Sequence, residues 1–133
     1  MQRSPILLSL LLLVGLAGCS DSSSQGEVNG TVTLDGQPLK DGDVRFVPVD
    51  GKSPTTSAKI TDGKFTATVP IGLKRVEFSA GKVIGKIKMY DTPESRVVDD
   101  IREQIPARYN TKSELKITVK KGSQDETFAL KSK

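Results

Sequence analysis

Five acids fall within one short stretch of the chain: Asp91, Glu94, Asp99, Asp100 and Glu103. Carboxylate oxygens in that number are the donors that calcium and other hard cations take, and acids also serve general acid–base chemistry. The stretch lacks an Asp-x-Asp-x-Asp-Gly loop, however, and Arg96, Arg102 and Arg108 are interleaved with the acids, which is the pattern of a solvated, self-neutralising face. A charged surface is therefore the expectation, with a calcium-binding or acid-dependent module as the alternative. The chain contains no His, which removes the commonest general base, the commonest metal ligand and every Ser/His/Asp or Cys/His triad. No catalytic residue, metal site or cofactor is assigned, and the chain is expected not to be an enzyme. Tyr90, Arg102, Arg108 and Tyr109 are of the types enriched at binding hot spots, and with Lys86 they form the candidate binding residues. The competing reading of Tyr109 is that it packs onto the folded body, as aromatics usually do.

Cys19 is the only cysteine, so no internal disulfide is available. Arg3 precedes an apolar run, Ile6 to Val14, broken only by Ser9. That is the pattern of a secretory signal peptide, and it is too short for a transmembrane helix of about 20 apolar residues. Leu16-Ala17-Gly18-Cys19 resembles a bacterial lipobox, which implies lipidation of Cys19, removal of residues 1–18 and acylation of the new N-terminus. The unpaired cysteine of an exported chain then has an explanation. Residues 19–26 follow as a Ser-rich tether, and the folded domain is expected over 27–133. Removing Arg3 takes the formal charge from +4 to +3, and no basic run exceeds Lys120-Lys121. Neither feature points to nucleic acid, and export argues against it.

The elements that must position these residues read as strands. Period-two alternation predicts strands over Val28–Leu34, Val44–Val47, Thr56–Thr61, Lys64–Val69, Arg75–Ala80, Leu115–Val119 and Glu126–Leu130. Asp-Gly recurs at 35–36, 41–42, 50–51 and 62–63, and Asp-Gly between alternating runs is a strong hairpin signal. Seven short strands at this spacing predict an all-β, seven-stranded sandwich. Residues 81–114 are the least regular. Lys82–Met89 reads as a strand extension or a hairpin arm. Thr92-Pro93 resembles a helix cap followed by Pro at the first helical position, and Val97, Val98, Ile101 and Ile105 recur at helical spacing, so a short helix is one expectation there. Pro106 then holds Ile105 extended, and Ile105–Asn110 reads as extended.

The residues Gly30-Thr31-Val32, Asp35-Gly36-Gln37-Pro38-Leu39, Val44, Phe46, Thr61-Asp62-Gly63-Lys64-Phe65, Val69-Pro70-Ile71-Gly72 and Val76 together resemble the carboxypeptidase regulatory-like, transthyretin-like β-sandwich family, in the form found in short planctomycete lipoproteins. The likeness spans about Val28 to Ala80, and Ile105 to Leu115 resembles the later part of those proteins. It implies an immunoglobulin-like Greek-key sandwich and a non-catalytic accessory or binding module. Leu73 stands where the family often carries Tyr. A purine-breakdown hydrolase of similar fold depends on histidines, which this chain lacks. The resulting expectation is an exported, membrane-anchored lipoprotein on the periplasmic face or in the outer membrane, held by lipid on Cys19. It would bind an envelope protein or polysaccharide; the alternative is a purely structural envelope lipoprotein.

Overall fold

A computed structural model describes residues 24–133, and over them the chain is all-β. Ten strands form: β1 (Gln25–Leu34), β2 (Gln37–Pro38), β3 (Asp41–Pro48), β4 (Thr56–Thr61), β5 (Lys64–Pro70), β6 (Gly72–Ser79), β7 (Gly81–Lys88), β8 (Val97–Glu103), β9 (Lys116–Val119) and β10 (Gly122–Leu130). The seven strands expected from alternation make up one continuous path, β10-β1-β5-β4-β3-β6-β9, with β2 added to β1. Seven is nevertheless too few for the whole chain: the two-residue β2 is too short to show a period, and β7 and β8 form a separate two-stranded sheet. β1 begins at Gln25, inside the stretch read as tether, because Gln25 and Gly26 pair with Pro70 and Val69. Cys19 and residues 1–18 lie outside the described residues.

The path curls at the β4–β5 corner. There the two strands share one paired position, Thr61 with Lys64, whereas β5 pairs with β1 along its whole length and β4 pairs with β3 along its own. The strands splay, and the two halves of the sheet face each other across the core. Alternate residues of each strand point inward, which buries Val28 and Val32, Val44 and Phe46, Phe65, Ala67 and Val69, Val76 and Phe78, and Phe128 and Leu130. All four phenylalanines join across the gap: Phe46 meets Phe65 at 5.9 Å, Phe65 stacks on Phe128 at 6.4 Å, and Phe78 meets Phe128 edge-on at 5.0 Å. Gly30 is part of this arrangement, since a Cβ there would lie 2.0 Å from the Phe65 ring directly across the ladder.

The Asp-Gly pairs do not all turn the chain. Asp35-Gly36 and Asp62-Gly63 have positive φ at both residues, 52° and 83°, and 50° and 75°, the geometry that lets a two-residue hairpin match strand twist. Asp50-Gly51 lies in a longer loop. Asp41-Gly42 opens β3 instead, where Gly42 is needed for space: a Cβ would come 2.7 Å from the Ser79 carbonyl.

Register fixes two ends. Gln25 lies opposite Pro70, Gly26 opposite Gly122, and Gly72 opposite Val119, so the chain enters where β6 begins. At the other end lie the two hairpin turns, the exit of β6 at Ser79, and Leu130 beside Leu34. Eight residues of β6 at about 3.3 Å each put about 26 Å between the two.

A C-terminal clasp sits at that far end. Asp35 accepts the Ser132 N–H at 2.9 Å and the Ser132 hydroxyl, and these bonds hold its carboxyl below the ordinary aspartate range. A depressed pKa contributes stability above the unfolded value, near 3.9, that is lost as pH falls through the lower folded value. The clasp is thus intact at neutral pH, and the Ser132 amide resonance is expected to titrate with a midpoint below 3.9; a midpoint at or above it would contradict the clasp.

Candidate functional site

Residues 81–103 form a hairpin arm, not a helix. β7 and β8 pair from Gly81 opposite Glu103 to Lys88 opposite Val97, with a bulge between Val83 and Gly85. The turn signals that suggested a helix cap serve the hairpin tip: Thr92-Pro93-Glu94-Ser95 closes through the Ser95 N–H to the Thr92 carbonyl at 3.1 Å, and Pro suits the second position of such a turn. Val97, Val98 and Ile101 fit a strand as well as a helical stripe, and β-branched residues favour the strand. With no core surface beneath the segment, backbone pairing with β7 decides its form. Ile105 lies at a bend and is buried, and residues 107–109, expected to be extended, coil into a single 3-10 turn.

Every residue of β7 is exposed, and in β8 only Asp100 is partly covered. Both faces of the arm therefore meet solvent. Val83 and Ile101 lie opposite one another, as do Ile87 and Val98, and all four are large exposed apolar side chains, with Ile84, Met89 and Val97 beside them. Tyr90 at the tip is 69% exposed. Contiguous exposed apolar patches of this kind are the surfaces at which proteins and membranes dock.

The candidate residues divide between the arm and the body. Lys86, Tyr90 and Arg102 are on the arm; Arg108 and Tyr109 are in the 3-10 turn on the body. Tyr109 is half-buried against the core, with the Arg108 guanidinium 4.8 Å from its ring centroid. Arg108 also donates to the Lys131 carbonyl. The guanidinium, aided by the Lys131 backbone, holds the Tyr109 hydroxyl below its ordinary value. This pair is occupied in fastening the far end of the body.

The acids do not converge. Asp99 accepts from Lys86 at 3.0 Å. Asp100 accepts from Arg102 at 2.9 and 3.2 Å, the forked geometry of a guanidinium–carboxylate pair, which lowers the Asp100 pKa and raises that of Arg102. Neighbouring strand residues point to opposite faces, so Asp99 and Asp100 are directed apart. Glu103 turns to the body, where Oε1 accepts the N–H groups of Ala80 at 2.9 Å and Ile105 at 2.8 Å. It fixes both roots of the arm. Among the described residues no three acidic, His or Cys side chains are grouped to hold a metal ion. The hollows on the body are open and shallow. That between β3 and β6 holds about 260 Å³ and is lined by Arg45 and Glu77, already paired to each other at 3.7 Å.

Two polar residues are buried among the described residues, Ser113 and Lys74, and sequence reasoning missed both. Lys74 lies in phase with inward Val76 and Phe78 and is 2% exposed, with its Nζ donating to Ser53 Oγ at 2.6 Å. Alternation alone flags position 74 as inward, but lysine is almost never fully buried.

No family model matches the chain, and no curated protein does. Among solved structures, a 9R-lipoxygenase from Cyanothece PCC8801 is similar over 96% of this chain and 18% of its own length, at 11% identity and a TM-score of 0.42. The chain spans less than a fifth of that enzyme, and a likeness this slight carries no argument.

Proposed function

We propose that the chain is an exported lipoprotein of the transthyretin-like sandwich type, anchored in the cell envelope through lipid on Cys19, which binds an envelope protein or polysaccharide without catalysis. The observation that carries the binding role is the arm: a two-stranded hairpin with apolar side chains exposed on both faces. An isolated hairpin is marginal in water, and its apolar surface gains most when covered. The non-catalytic reading is supported by the lack of His and by the ties of Asp99, Asp100 and Glu103 to a cation or to N–H groups. The residues from Cys19 to Gln25 reach at most about 20 Å, so an anchor would keep the entry end of the body near the membrane and leave the arm facing away.

Two measurements test this. Mass spectrometry of the N-terminal peptide from membranes is expected to show acylated Cys19, with Cys19→Ala released to the soluble fraction. Photo-crosslinking residues placed at Lys86, Tyr90 and Arg102 in cells are expected to yield one dominant protein or glycan adduct, absent from a probe at Arg108. An unmodified Cys19 sinks the anchor, and diffuse adducts at all four positions sink the binding role in favour of a purely structural lipoprotein.

A further inference from the structure

We infer that the free edge of β7 takes an extended polypeptide strand carrying acid, apolar and acid side chains in succession; this rests on the binding role proposed above. Among the described residues β7 and β8 pair only with each other, so each offers one unpaired edge of N–H and C=O groups, the template for strand addition. The two edges differ in charge. β7 carries Lys82, Lys86 and Lys88 and no acid, whereas β8 carries Asp99, Asp100 and Glu103 with Arg102. The acids of β8 are satisfied by Lys86, by Arg102 and by the backbone of Ala80 and Ile105. Lys82 and Lys88 have no partner among the described residues. Along the two paired strands of the arm the unspent charge is thus cationic and lies on β7, while Asp91, Glu94 and Arg96 stand in the tip beyond the ladder.

Residues directly opposite across a ladder share a face. A strand laid along Lys86-Ile87-Lys88 therefore meets lysine, isoleucine and lysine in turn, and an acid–apolar–acid triplet matches all three, with Lys88 unpartnered and Lys86 shared with Asp99. Other occupants fit less well. Two β7 edges brought together would oppose their lysines. Adding β8 of a second copy antiparallel to β7 would space the bodies by two strands, about 10 Å, which is closer than the thickness of two packed sheets with their side chains allows. A lipid surface meets five acids as well as five bases between 82 and 103, on an arm that leaves the body at the end opposite the chain entry.

The test uses the full chain in mild detergent, with a synthetic octapeptide alternating glutamate and valine as the probe and its lysine–valine counterpart as control. The acidic peptide is expected to bind at least tenfold more tightly than the control and to slow amide exchange at Gly85–Lys88 at least fivefold. Lys82→Glu with Lys88→Glu is expected to abolish the preference while exchange in β8 stays unchanged, which shows the arm still folded. Equal binding of both peptides, or protection confined to β8, overturns the inference. So does protection of the arm only by phosphatidylglycerol vesicles, or protection that rises with protein concentration alone. Peptide binding by a chain whose Cys19 proves unmodified would refute the anchor and leave the β7 site standing.

Discussion

Lys74→Met is expected to fold as stably as the parent or more so, while Lys74→Ala loses about 2–3 kcal/mol. Lys74 is buried with one neutral partner, the Ser53 hydroxyl at 2.6 Å, and no ion pair among the described residues. A buried cation repays its desolvation only through close opposite charge and a full set of hydrogen bonds, and replacing such a group by an apolar side chain of similar volume is often neutral or stabilising. Methionine keeps most of the stem that fills the space beside Val76 and across from Ile117. Alanine removes the stem and leaves a cavity, and the cavity term outweighs the relief of the buried amine. Ser53→Ala takes away the amine's partner and is expected to cost about 1–3 kcal/mol, a cost that should vanish in the Lys74→Met background. Urea unfolding midpoints at unchanged slope measure all four. A Lys74→Met unfolding free energy lower by more than about 1 kcal/mol would mean that the amine–hydroxyl contact is a net source of stability.

Gly30→Ala is the second large effect, at about 2 kcal/mol of lost stability. Alanine is ordinarily the better residue inside regular structure, by about 0.5–1 kcal/mol relative to glycine. Here the added methyl would lie 2.0 Å from the Phe65 ring, and that ring cannot retreat freely because Phe46 and Phe128 stand 5.9 and 6.4 Å away. Overpacking therefore outweighs propensity. Trimming the obstacle tests the cause: in a Phe65→Leu background the Gly30→Ala penalty should fall to less than half, a coupling of about 1 kcal/mol in a double-mutant cycle. Additive losses would show that the strain lies elsewhere, in the backbone of β1.

The seven strands of the curled sheet are legible in the sequence because each must bury alternate side chains, and that demand writes a period of two into Val28–Val32, Phe65–Val69, Val76–Ala80 and the others. Two hairpins are legible for a local reason as well, since Asp35-Gly36 and Asp62-Gly63 adopt the positive φ their residues tolerate. Legibility fails where a local signal has two uses. Thr92-Pro93 begins a helix or a turn equally well, and Asp41-Gly42 is a turn signal that serves inside a strand because Gly42 must pass close to the Ser79 carbonyl.

The candidate site divides along the same line. Sequence brought Lys86, Tyr90 and Arg102 forward, and all three lie on the exposed arm, but it grouped Asp99, Asp100 and Glu103 as one acidic cluster when they serve three different contacts. Proximity along a strand does not mean proximity of side chains, because neighbours point to opposite faces. By itself, then, the sequence determined the all-β character, the inward residues of the seven strands and the lack of any histidine-based chemistry, since these follow from composition and from contacts near in the chain. Tertiary structure alone decided that 81–103 stands free as a hairpin, that it leaves the body opposite the chain's entry, that Glu103 locks its roots and that Lys74 is sealed inside. Each of these depends on which distant segment happens to lie alongside, and no local pattern of residue types encodes that.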